Sequence, residues 1–148
     1  MRKINKMSGF TLFEMLVVIS IIAILTAVIS LSFSSAQKKA RDSRRVQDMR
    51  SIQTAAEQYY SMSNFSYPAD TSAPASWTPT NGQAVLDIFP QDPKSVGWTA
   101  YSYSGNVGST YCACAAVESV SVGNAVDKCN FGSGVGITGP YFCVKNQQ

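Results

Sequence analysis

A chain of 148 residues has room for one modest globular domain plus an appendage. Only 14% of it is charged, and the formal net charge is +3; without Arg2, Lys3 and Lys6 of the first nine positions, nine basic residues face nine acidic ones. A neutral body argues against general nucleic-acid binding, which shows as a basic excess. The chain has no histidine, which removes the commonest general base and metal ligand together. Composition therefore favours a non-enzymatic protein with neither cofactor nor metal.

The chain opens with a short positive segment, MRKINKMSG, residues 1–9. Residues 10–33 follow, 24 residues from Phe10 to Phe33 whose only charge is Glu14. As a helix this run measures roughly 36 Å, enough to cross a hydrocarbon core of ~30 Å. A charge near the end of such a span is costly, and any aliphatic residue would have avoided it. Glu14 therefore requires an explanation. A cleaved secretory signal with Ser34-Ser35-Ala36 as its site explains the apolar run poorly, because the usual apolar core is roughly 7–15 residues. A plain membrane anchor leaves the acid without a purpose.

Residues 34–62 keep the helical rhythm while turning polar. Met49, Ile52, Ala56, Tyr59 and Tyr60 recur at three- and four-residue spacing, one stripe about 100° wide. Lys38/Asp42 and Arg44/Asp48 are opposite charges four residues apart, which supports a helix by a few tenths of a kcal/mol each. With no breaker before Asn64 and Pro68, the spacing predicts one helix of about 50 residues. Residues 63–148 form a carboxyl-terminal β-rich domain. Residues 66–82 read as a loop, QAVLDIF (83–89) as a brief helix or strand, and WTAYSYS, TYCACAAVESV and PYFCVK as strands, separated by NVGS and NFGSGVGITG. The fold class is α+β: a long amino-terminal helix whose polar half packs on a small antiparallel sheet.

The leader ending in Gly9, then Phe10, Thr11-Leu12, Glu14 and the apolar helix, resembles the prepilin signal of type IV pilins and type II secretion pseudopilins. The resemblance implies cleavage between Gly9 and Phe10 by a membrane prepilin peptidase on the cytoplasmic side and N-methylation of Phe10. It implies storage as a single-pass subunit of the cytoplasmic membrane, with lipid as the partner before assembly and the amino terminus in the cytoplasm. An assembly ATPase and an inner-membrane platform protein then build a helical homo-oligomer by helix bundling. It also implies a four-stranded sheet facing outward. Glu14 then gains a partner: the Phe10 amine of a neighbouring copy, or its own, one helical turn away. In a low-dielectric bundle such a pair fixes one stagger between helices that otherwise slide.

"FPQDPKSVGWTAYSYS", residues 89–104, followed by AVE at 116–118, is similar to the Pro-x-Asp-Pro…Tyr-x-Tyr…Glu stretch of major pseudopilins and related small pilins. That stretch favours the secretion pseudopilus; four cysteines favour an extracellular pilus. The membrane helix departs from many members in lacking a proline near Leu31. Asp87, Asp92 and Asp127 lack the spacing of a calcium loop. A membrane-anchored binding protein or enzyme acting alone is the rival from another class.

Cys112 and Cys114 point to one face of a strand, about 6.8 Å apart, with Cys129 and Cys143 downstream. In an exported domain they read as two disulfides, each of the first two bonded to one of the last two, with both such connectivities open. A four-thiolate zinc site is the rival, without paired C-x₂-C knuckles. Lys38, Lys39, Arg41, Arg44, Arg45 and Arg50 read as a solvated helix neck partly neutralised by Asp42 and Asp48. DNA and anionic lipid headgroups are the other partners such a run suggests, and without interleaved aromatics DNA is unsupported. The same six basic residues place the carboxyl side in the cytoplasm by the positive-inside rule, against the export that the cysteines suggest.

Overall fold

The computed structural model describes residues 9–69, 76–94, 96–106, 110–131 and 138–147. The expected leader, but for Gly9, and parts of the expected loops 66–82, NVGS and NFGSGVGITG lie outside the described residues. One helix, α1 (Leu12–Met62), is followed by three strands, β1 (Ser102–Asn106), β2 (Thr110–Ala116) and β3 (Tyr141–Lys145). The chain divides into two compact units, one ending at Gln37 and the other running Lys38–Gln148.

In the first unit the apolar side chains of α1 are solvent-facing; Leu12 is 83% exposed and Ile24 67%. This part of α1 is long and apolar enough to cross a membrane, with mean hydropathy 2.8 over its best window. The hydroxyls of Ser20 and Thr26 donate to Val17 and Ile22 carbonyls of their own helix at 2.7 and 2.9 Å. Polar side chains that bond locally in this way cost little in an apolar medium.

In the second unit the later turns of α1 pack on the sheet, whose order is β1-β2-β3 with both pairings antiparallel. The period-2 geometry of a strand sorts TYCACAA onto two faces. Tyr111, Ala113 and Ala115 join Met49, Ile52, Ala55 and Ala56 of α1 in the main core, with Tyr103 and Val144 from the flanking strands. Cys114 and Cys143 belong to a smaller cluster with Ala125. Met49, Ile52 and Ala56 of the helical stripe are fully buried, and Tyr59 and Tyr60 pack against the same core. Rings link the rest: Tyr60 on Tyr67, Tyr67 on Tyr111, Tyr111 on Tyr103, Tyr103 on Trp77.

Two expectations differ. The segment 83–89 forms neither helix nor strand; its only pairing is the Trp77–Leu86 bridge, and Pro79 has no N–H with which to extend a ladder. Among the described residues the sheet has three strands where the resemblance implies four. The outer edge of β3 is closed by a loop instead. Asn124 Nδ2 donates to the Cys143 carbonyl at 2.9 Å, and the Cys143 N–H donates to Asn124 Oδ1 at 2.7 Å. The Ala125 N–H donates to the Tyr141 carbonyl at 3.0 Å. One amide side chain thus imitates a strand residue and blunts an edge that would otherwise pair with another chain. The approach needs glycine at 123 and 139, because a Cβ at either would meet backbone of 139 or 125.

Candidate functional site

The amino-terminal site is built on the entrance to α1. Gly9 and Phe10 precede the helix in irregular, exposed backbone, and nothing lies within 4 Å of where a Gly9 Cβ would sit. A peptide bond so placed is open to a protease. Thr11 is the N-cap: its carbonyl accepts the Met15 N–H at 3.3 Å, and its Oγ1 accepts the Glu14 N–H at 3.2 Å. Glu14 Oε2 reciprocates, accepting the Thr11 N–H at 2.8 Å and the Thr11 hydroxyl at 2.7 Å. This is a capping box, with an acid at the positive end of the helix dipole. With the Phe10 nitrogen in its peptide bond to Gly9, the local partner of Glu14 is Thr11. Its signature, Thr-x-x-Glu ahead of an apolar run, is present in the sequence at Thr11 and Glu14. Among the described residues Oε1 accepts no bond, so half of the carboxylate is open to an outside donor.

At the neck, Lys38, Lys39, Arg44 and Arg50 are exposed as expected of a solvated face, whereas Arg41 and Arg45 depart from it. Arg45 is fully buried. Its Nε and Nη2 form a two-pronged pair with Asp92 at 2.7 and 2.9 Å, and Nη1 donates to Asp42 at 2.8 Å and to Glu118 at 3.0 Å. Arg41 grips Glu118 with a second fork, at 2.6 and 2.7 Å. Asp42 pairs with Arg45, not with Lys38, and accepts the Glu118 and Ser119 N–H groups, each at 2.9 Å. The Trp98 ring lies 4.8 Å from the Arg45 guanidinium carbon. Bonding to Arg41, reinforced by Arg45, holds the Glu118 carboxyl down at about 2, against the cost of its burial. Arg44 meets Asp48 at 3.0 Å, and Asp48 also accepts the Tyr101 hydroxyl at 2.8 Å. Asp92, Tyr101 and Glu118 all belong to the Pro-x-Asp-Pro…Tyr-x-Tyr…Glu stretch. That stretch is the clamp that holds the sheet and its loops to the helix neck.

The four cysteines form two disulfides, Cys112–Cys129 and Cys114–Cys143, and none is free among the described residues. Cys114–Cys143 bridges directly paired positions of β2 and β3, with both residues 2% exposed. Cys112–Cys129 ties β2 to the loop beyond it, and Cys129 is exposed. Sulfurs bonded in this way are not the thiolates that a zinc site requires. Asp92, one of the three acids lacking calcium spacing, is spent on Arg45.

Residues 4–30 match the family described as the prokaryotic N-terminal methylation motif. No curated protein and no solved structure matches the chain.

Proposed function

From an amino terminus that bears the prepilin-type signal of type IV pilins and pseudopilins, we propose that this chain is the structural subunit of a type IV pilus-like filament. It is made as a membrane prepilin, cut between Gly9 and Phe10 and methylated on the new Phe10 amine. The signal and the apolar part of α1 fit a membrane-anchored amino terminus. The remainder faces the exported side, where its disulfides are stable. Glu14 Oε1, which accepts no bond among the described residues, accepts the Phe10 ammonium of a neighbouring copy when helices bundle. An assembly ATPase and a membrane platform protein drive extrusion.

The single observation that carries this reading is the matched motif followed by a helix whose apolar residues are exposed around its circumference. A helix apolar on all sides has to be covered by lipid or by other helices. A pseudopilin of a type II secretion system is the second reading, favoured by the Asp92–Tyr101–Glu118 stretch and its contacts with the neck. Mass spectrometry of the mature protein tests the processing. A methylated Phe10 terminus is expected; an uncut terminus, or one at Gln37, overturns the proposal. Sheared extracellular filaments containing the chain separate pilus from pseudopilus.

A further inference from the structure

The two disulfides are not independent. The Cys112 and Cys114 sulfurs are 3.6 Å apart, and the Cys114 and Cys129 sulfurs 3.8 Å apart, although neither pair is bonded. The Cys112, Cys114 and Cys143 sulfurs all lie within 4.8 Å of one another. Among the described residues the cluster borders a groove. An open groove of about 420 Å³ is lined by Tyr111, Cys112, Cys129, Phe131 and Lys145, among others. Lys145 is the register partner of Cys112, and its ammonium lies 5.1 Å from the Phe131 ring centre. Cys129 holds a left-handed backbone, φ 62°, a conformation that side-chain-bearing residues rarely adopt. Its N–H donates to the Cys114 sulfur at 3.2 Å.

We propose that Cys112–Cys129 is a thiol–disulfide exchange site, opened through this groove by a cysteine thiolate of a redox protein and relayed through Cys114 to the buried bond. The incoming thiolate, attracted by Lys145, attacks the Cys112 sulfur; a mixed disulfide forms, the Cys112–Cys129 bond breaks, and Cys129 leaves as a thiolate. Held beside Cys114, Cys129 attacks it, forming Cys114–Cys129 and releasing the Cys143 thiolate. Cys143 then attacks Cys112 in the mixed disulfide, forming Cys112–Cys143 and returning the partner's thiolate. Two disulfides are present before and after, no net electrons are transferred, and the partner is regenerated. Exchange of this kind runs through thiolate attack and depends on access. The groove supplies access, and the sulfur spacing supplies the relay. The inference is independent of the filament reading.

The test uses the full wild-type chain in detergent, incubated with reduced glutathione as the attacking thiol, acid-quenched, alkylated and digested without reduction. The expected result is glutathione on Cys112, together with new cross-linked peptides joining Cys114 to Cys129 and Cys112 to Cys143. A Lys145→Gln variant, altered at an exposed side chain, should form both products more slowly. If glutathione leaves all four cysteines in their original pairs, or modifies Cys112 and Cys129 while Cys114–Cys143 stays intact, the proposal is overturned.

Discussion

Arg45 shows why single residues in this chain carry more than their composition suggests. A guanidinium with no exposed surface is tolerable only because Asp42, Asp92 and Glu118 surround it. Removing one partner of such a cluster typically costs about 3–5 kcal/mol, because the remaining charges stay buried. Arg45→Met is therefore expected to lower the stability of the full chain by that order, measured by denaturant unfolding. Glu118 gives the cluster a pH signature. Its carboxyl titrates near 2 when folded against 4.5 ordinarily, so the folded state holds the charged form more tightly than the unfolded chain does. Its stabilisation is complete above about pH 4.5 and is lost as pH falls toward 2. Thermal unfolding should show this loss, and Glu118→Gln should begin less stable and flatten the curve in that window. None of this was legible as geometry. Arg41 and Arg45 read as part of a solvated neck because Asp92 and Glu118, the acids that bury them, lie 47 to 77 residues away, beyond the reach of any helical spacing rule. The one available signal was the similarity of residues 89–118 to a known stretch, whose acids have no stated partner until the chain folds.

At the scale of elements, local patterns carried further. The three strand segments and the helix of about 50 residues are visible in alternation, periodicity and breakers, and α1 spans 51 residues. The alternation of β2 also explains its small residues: Ala113 and Ala115 are fully buried where the strand meets α1. Ala113→Leu should cost about 1–3 kcal/mol by overpacking, whereas Ser102, half-buried on β1, should tolerate valine far better; unfolding midpoints compare the two. The closed edge of β3 was not legible, because it depends on one side chain, Asn124, imitating backbone. Asn124→Ala strips partners from the Cys143 N–H and carbonyl, a loss of about 1–3 kcal/mol per unsatisfied group. Amide exchange at Cys143 should accelerate accordingly.

The whole molecule combines a prepilin-type amino-terminal motif, an apolar helix with exposed side chains and a domain held by ion pairs and disulfides, and the proposal is that the first is processed and the last exported. Glu14 has one role that the structure shows and one that is proposed. As the N3 residue of a capping box it stabilises the start of α1, a contribution of about 0.5–2 kcal/mol for a cap of this kind. As a carboxylate whose Oε1 accepts no bond among the described residues, it is the proposed countercharge for a neighbour. The sequence pointed to the second role through a family resemblance and overlooked the first. Glutamine also serves at N3 of a capping box, so Glu14→Gln keeps the helix start and removes only the charge. The decisive measurement is the yield of sheared filaments from cells making Glu14→Gln, with the mature Phe10 terminus verified by mass spectrometry. The account predicts a normally cut, membrane-retained protein whose filament yield falls about tenfold or more, since each 1.4 kcal/mol of lost pairing is a factor of about ten. Filaments at wild-type yield would contradict it, leaving Glu14 as a helix cap alone.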